Sequence, residues 1–238
     1  MPDTPASLLA AALRRDPAGP LLTYYDDETG ERTELSATTA ANWVAKTANL
    51  LADELGVEPG EPVCLLLPAH WQTAVMLLAV WSLGALPVTG AEGTAVIVAD
   101  EARLPTAVNA GAREVVGLSL RPLNAPLSSP PPAVTDYAGA VLAAPDAFQP
   151  VEPSGTVEVM AARNWAKETG LTGDDRLLVS DVIGVADAID WLLTPLVAGA
   201  SIVLCRNTDP RRLPARITQE RVTATLGRTV EGVRRLDS

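Results

Sequence analysis

Residues 61–88 read EPVCLLLPAHWQTAVMLLAVWSLGALPV. Val63 to Leu67 is an unbroken apolar run closed by Pro68, the pattern of a strand covered on both faces by helices. Trp71 to Leu83 returns as a helix apolar almost all round, and such a helix must be buried. A buried strand followed at once by a buried helix is the unit of a parallel, layered α/β sheet.

Reading towards the N-terminus, apolar spacing switches between period two and period 3.6, the mark of alternating strands and helices. Ser7 to Arg15 reads as a short helix, and LLTYYDDETGERTELS reads as a hairpin. Its strands are Leu22 to Asp26 and Arg32 to Leu35, joined by a turn through Glu28-Thr29-Gly30. Ser36 is placed to N-cap a long helix, Ala37 to Leu55, whose Ala40, Trp43, Val44, Ala48, Leu51 and Leu55 recur at three- and four-residue steps. Gly56 follows as its C-cap.

Towards the C-terminus, strands are expected at Ala95 to Val98, Glu114 to Leu118, Thr156 to Met160, Leu177 to Ser180, Ser201 to Cys205 and Val222 to Leu226. A helix is expected over Val185 to Val197, with Val185, Ile189, Leu192, Leu193, Leu196 and Val197 on one stripe. The segment SLRPLNAPLSSPPPAVT, residues 119–135, carries five prolines and reads as an extended connector. It would separate an N-terminal lobe of about 1–118 from a C-terminal lobe of about 136–238. Docking to an SH3-like partner is the less favoured use of that segment.

The 238 residues are 47% hydrophobic and 20% charged, ample for a substantial core. Eighteen basic against 29 acidic side chains give a net charge of −11, and no basic run exceeds an Arg pair. That balance argues against binding to nucleic acid or anionic lipid. The most apolar stretch, Ala74 to Val88, is shorter than the roughly 20 residues of a membrane span. The N-terminus carries Asp3 and two prolines where a signal peptide wants positive charge, so a cytoplasmic location is expected. Cys64 and Cys205 lie in apolar strand runs and read as reduced core residues. With one histidine in the chain, a Cys/His zinc cluster is not expected.

Candidate sites follow from position. His70 lies just past a strand's C-terminal end, where α/β folds place ligands, and an imidazole there can serve as a general base. It equally suits the capping of a first helical turn, the preferred reading. Asp181 lies at another strand's C-terminal end. Asp187 and Asp190 share a helix face, but fall opposite the apolar stripe and read as solvated. Ser154-Gly155-Thr156 forms a small hydroxyl-bearing turn of the kind that aims backbone N–H groups at phosphate, with no lysine behind it. The chain's lysines are Lys46 and Lys167 alone. No catalytic residue and no metal ligand is assigned.

Residues 20–88 resemble the opening of the adenylate-forming (AMP-binding) superfamily, which includes acyl-CoA synthetases, adenylation domains and luciferases. The matching order is a Thr-Tyr hairpin, a long helix ending Leu-Gly-Val, Pro-Gly-Glu-Pro-Val, an apolar strand, Leu-Pro, and a helix closing Gly-Ala. A second patch, Leu171 to Leu226, is similar to the segment after that family's phosphate loop. A short actinobacterial-type offshoot covering only the N-terminal part is the form this resemblance implies. The family's phosphate loop continues into Gly-x-Pro-Lys-Gly, whereas here Val157-Glu158-Val159 follows Thr156 directly. The sequence also reaches Ser238 without the Tyr-Gly-x-Thr-Glu motif or the family's catalytic lysine. The resemblance therefore implies a degenerate module that does not adenylate alone. At most it would retain weak affinity for ATP, AMP or CoA, or for an acyl or protein partner. The alternatives are half of a split acid–thiol ligase completed by a partner, or a plain CoA, acyl-CoA or nucleotide binder.

Overall fold

The computed structural model describes residues 3–151 and 153–236. Its residues fall into two compact units that interleave along the chain. The first holds the residues up to Ala41, the tripeptide Ala69–Trp71, and the residues from Thr156 onward. The second holds Asn42–Pro68 and Gln72–Gly155. The boundary drawn at 119–135 from composition therefore falls inside the second unit, with both of its flanks.

The first unit begins with helix α1 (Pro5–Arg15), two residues longer than its apolar spacing suggests. Thr4 caps it, and the Thr4 and Ser7 side chains close a reciprocal capping box. Strands β1 (Pro20–Asp26) and β2 (Glu31–Ser36) form the expected antiparallel hairpin. The Ser36 hydroxyl accepts from the Thr39 N–H at 3.1 Å and opens helix α2 (Ala37–Asn49), which leads on into the second unit. A π-helical turn, Leu50–Glu54, continues it.

In the second unit, strands β3 (Pro62–Leu66), β4 (Leu86–Val88), β5 (Val96–Asp100), β6 (Glu114–Leu118) and β7 (Val134–Asp136) form one sheet. Its order is β4-β3-β5-β6-β7, parallel throughout. Helix α3 (Trp71–Ser82) crosses from β3 to β4 and is as buried as its sequence requires. Helices α4 (Leu104–Asn109) and α5 (Tyr137–Ala143) complete this unit. Cys64, Ile97, Ala99, Leu104, Ala107, Val115 and Leu127 form one apolar cluster here.

Leu127 shows why the proline-rich segment is more than a connector. Its side chain is buried, and an ideal Cβ on Gly117 would stand 2.7 Å from its Cδ1. Glycine in β6 makes the room that Leu127 fills. Around it the chain turns back at 122–124, with Leu120, Leu123 and Asn124 at positive φ, then pairs as β7.

The first unit resumes with helix α6 (Thr156–Thr169), strand β8 (Arg176–Val179) and helix α7 (Thr194–Ala198). Strand β9 (Ser201–Arg206), helix α8 (Leu213–Glu220) and strands β10 (Ala224–Leu226) and β11 (Arg234–Leu236) follow. The six-stranded sheet runs β11-β10-β8-β9-β1-β2, and all of its neighbours are parallel except the β1–β2 hairpin. The architecture is thus the α/β, mostly parallel, helix-flanked one expected.

Two elements differ from expectation. Residues 156–160 are helical, not extended. Thr-Val-Glu-Val alternates like a strand, but Val159, Ala162 and Ala166 are the residues buried, and their three- and four-residue spacing is helical. Residues 185–197 are not one α-helix but a 3₁₀ turn (Val185–Asp187), a π-helical turn (Ile189–Leu193) and then α7. Pro195 has no N–H to offer the carbonyl four residues back, and the Thr194 N–H bonds Ile189 O instead.

Candidate functional site

Open parallel sheets place ligands outside the carboxyl ends of their strands. In the first unit, β8 runs into Ser180-Asp181 and β10 into Gly227-Arg228. Asp181 adopts φ +60°, a left-handed conformation that aspartate tolerates better than most residues. Its carboxylate faces Arg228, with Nε 2.9 Å from Oδ2. The Arg228 N–H donates to Ser180 Oγ at 3.1 Å, and the Ser180 N–H donates to Leu226 O at 3.0 Å. Gly227 makes this approach possible: at φ +95°, an added Cβ would stand 2.0 Å from Ser180 O. Sequence spacing singled out Asp181 but not its partner, since Arg228 lies 47 residues away.

Asp187 and Asp190 are both half-buried, which corrects their reading as a solvated face. Asp187 Oδ2 accepts from the Ile183 N–H at 2.6 Å. Burial, and then the nearby Asp187 charge, push the Asp190 carboxyl above its ordinary range.

His70 takes different partners. It is wholly buried, edge-on to the Tyr24 ring at 4.4 Å between centroids, with Nε2 3.9 Å from Glu31 Oε2. Glu31 Oε1 accepts from Trp71 Nε1 at 3.1 Å and from the Thr33 hydroxyl at 2.7 Å. Burial holds the imidazole below its ordinary pKa against the opposing pull of Glu31. The neutral form is the one able to accept a proton, but the ring is wholly buried from solvent.

Ser154 lies in the second unit, where its hydroxyl donates to Ala85 O at 2.9 Å and is buried. Gly155, at φ +73°, turns the chain, and Thr156 opens α6. Glu158 stands in the first turn of that helix and Lys167 in its last. Eleven residues at about 1.5 Å each put Lys167 about 16 Å along the axis from Thr156. The other lysine, Lys46, donates to Ala144 O at 2.5 Å and Leu142 O at 3.3 Å. These residues do not fit a triphosphate with its magnesium. The serine hydroxyl is already bonded, the nearest side-chain charge in the turn is negative, and neither lysine reaches it. Among the described residues no cluster of three or more His, Cys, Asp or Glu side chains could hold a metal ion.

The most extensive ionic network lies elsewhere in the first unit and was missed in the sequence. Arg216 on α8 is buried, with Nη2 2.6 Å and Nη1 3.2 Å from the Asp27 carboxylate and its guanidinium 4.1 Å from the Tyr25 ring centroid. Glu220, one turn on, accepts from the Tyr25 hydroxyl at 2.5 Å and pairs with Arg176 and Arg32. These groups satisfy one another and lock α8 onto β1 and β8. Cys205, 3.5 Å from Arg216 Nη1, is a free buried thiol pushed up to about 11 chiefly by burial. Cys64 is likewise free and buried.

The fold these elements build is the α/β architecture of the N-terminal region of acyl-CoA synthetases. A Brucella canis acyl-CoA synthetase superposes with a TM-score of 0.76 at 19% identity, over 94% of this chain and 48% of its own. The anthranilate CoA ligase AuaEII in complex with anthranoyl-AMP and a Mycobacterium tuberculosis fatty acyl CoA synthetase both give 0.74, at 15% and 16% identity. Each of those two matches covers 94% of this chain and 49% of theirs. The chain therefore spans about half the length of these solved structures. A protein of Mycobacterium tuberculosis (strain ATCC 25618 / H37Rv), a TIGR03089 family protein, is 44% identical over 236 residues, 92% of this chain and 96% of its own. The chain belongs to the TIGR03089 family. No family model matches it. No helix among the described residues is long and apolar enough to cross a membrane.

Proposed function

We propose that this chain is a single AMP-binding-like module that keeps the adenylate-forming scaffold but does not adenylate alone, and that it acts in the cytoplasm as a ligand-binding or protein-interaction module. The observation that carries this reading is the engagement of Ser154 by Ala85 O, with Glu158 in the turn that follows. Adenylation builds negative charge between the attacking carboxylate and the α-phosphate, so it needs fixed cations aimed at that point. Glu158 works against this, because like charges about 4 Å apart repel by about 1 kcal/mol in water and more near a protein surface. A weak nucleotide, CoA or acyl ligand is compatible with the scaffold, whereas nucleic acid is not favoured at a net charge of −11.

A second reading, the N-terminal part of a split acid–thiol ligase, is favoured by the extent of the structural matches, nearly all of this chain against half of theirs. ATP–pyrophosphate exchange over a panel of carboxylic acids tests the leading reading, with no exchange by the chain alone as the expected result. Robust exchange overturns it. Thermal shift with ATP, AMP, CoA and acyl-CoA then identifies any retained ligand, because a ligand at 100-fold its Kd stabilises by about 2.7 kcal/mol.

A further inference from the structure

Strand β2 forms one edge of the six-stranded sheet in the first unit, with β1 as its neighbour on the inner side. The ladder decides which of its residues point outward. Just past β1, the Asp27 N–H donates to Arg206 O at 3.2 Å, towards β9, whereas Asp26 O accepts from the Gly30 N–H at 2.9 Å, towards the hairpin. By alternation Tyr25 and Thr23 also point to β9, so their partners on β2, Arg32 and Glu34, exchange no hydrogen bonds with β1. The N–H and C=O groups of Arg32 and Glu34 therefore point outward. Among the described residues they make no hydrogen bond beyond the sheet. Both side chains are accessible, 43% and 42% exposed, and lie on one face with Arg32 Nη2 2.6 Å from Glu34 Oε2. From this geometry we propose that β2 is a self-pairing edge, through which two copies of the chain join antiparallel about a two-fold axis at Thr33.

In that register Arg32 lies opposite Glu34 of the other copy, and Glu34 lies opposite its Arg32. Both pairs are then of the kind that exchanges two backbone hydrogen bonds, and Thr33 meets its own copy between them, a favourable cross-strand pair. Charge selects this register over its rivals. A slip of the antiparallel pairing by two residues sets Arg32 against Arg32 or Glu34 against Glu34, and an in-register parallel pairing does both. Charged side chains on an edge ordinarily discourage pairing. Here opposite signs two residues apart discourage those alternatives and favour the self-complementary one. A single short strand is a small contact, so association is weak and depends on concentration. The net charge of −11 on each copy opposes it further. Salt of about 0.15 M, with a Debye length of about 8 Å, screens that long-range repulsion more than the close pairs.

Sedimentation velocity of the full chain at that salt, from about 1 to 500 μM, is expected to show a monomer passing into a dimer. Arg32→Glu and Glu34→Arg each set like charges opposite one another, and each is expected to weaken self-association by about tenfold or more. Mixed together, the two variants are expected to recover the wild-type dimer, because acids on one edge then meet arginines on the other. Glu34→Pro removes an outward N–H while sparing the β1–β2 bonds, and it too is expected to weaken the dimer. A wild type that stays monomeric throughout, variants that dimerise as tightly as the wild type, or a mixture that fails to recover the dimer overturns the proposal. Should Arg32→Glu not fold, since it sets a second acid beside Glu220, then Glu34→Arg and Glu34→Pro decide. Sedimentation is blind to adenylation, so its outcome stands apart from that of pyrophosphate exchange.

Discussion

Replacing Arg216 by alanine tests whether the ionic network on α8 holds the first unit together. The substitution removes two charge-assisted contacts to Asp27, at 2.6 and 3.2 Å, and a guanidinium stacked 4.1 Å from the Tyr25 centroid. It leaves a carboxylate whose side chain is 3% exposed. Deleting one partner of a buried ion pair costs roughly 3–5 kcal/mol, mainly through the charge left behind. Here the Asp209 N–H at 2.8 Å and Arg212 at 3.2 Å still serve Asp27, which places the loss at the low end, about 3 kcal/mol. For a chain of this length that corresponds to about 6–12 °C in Tm. Urea unfolding of the wild type, Arg216→Ala, Asp27→Asn and the double variant gives the coupling directly. The double variant is expected to be less damaged than the sum of the singles, because each single leaves one buried charge without its partner and the double variant removes both. A loss below about 1 kcal/mol for Arg216→Ala, or strict additivity, refutes the reasoning.

Gly227→Ala is expected to abolish soluble folded protein or lower Tm sharply, because its Cβ would fall 2.0 Å from Ser180 O at a φ of +95°; circular dichroism and expression yield check this. Ser154→Ala is expected to cost about 1–3 kcal/mol by leaving Ala85 O unsatisfied in a buried position, read from urea midpoints. A change in nucleotide affinity without that loss would return Ser154 to a binding role. Asp27, Asp175 and Glu220 are held below the ordinary carboxylate range, burial being outweighed by hydrogen bonds from Arg216, Thr223 and Tyr25 respectively. Their contribution is thus fully present above their unfolded values and is lost as pH falls through the folded ones. Urea midpoints measured in the His70→Gln background, where histidine no longer contributes, are expected to decline below about pH 4.

Much of the fold was legible because each signal was local. The apolar run at 63–67, the all-round apolar helix after it, Ser36 before α2 and the Thr-Gly turn of the hairpin each act within a few residues. Where the reading failed, a tertiary partner decided. Thr156–Met160 alternates like a strand until Val159, Ala162 and Ala166 find a buried face, and residues 185–193 depart from α-geometry just ahead of Pro195, which offers no N–H. The candidate site was less legible. His70 and Asp181 follow strands β3 and β8, but nothing along the chain signals that Glu31 faces one and Arg228 the other.

By itself, the sequence determined the kinds of element, their alternation and hence a parallel helix-flanked sheet, because periodicity and capping are properties of neighbouring residues. It also determined the scarcity of lysine and the acidic balance. Only the tertiary structure decided that residues 3–41 and 156–236 build one unit, that the proline-rich segment seats Leu127 beside Gly117, and that the Ser154 hydroxyl belongs to Ala85. Those outcomes depend on which groups meet across dozens of residues, where burial and charge pairing outweigh any preference written along the chain.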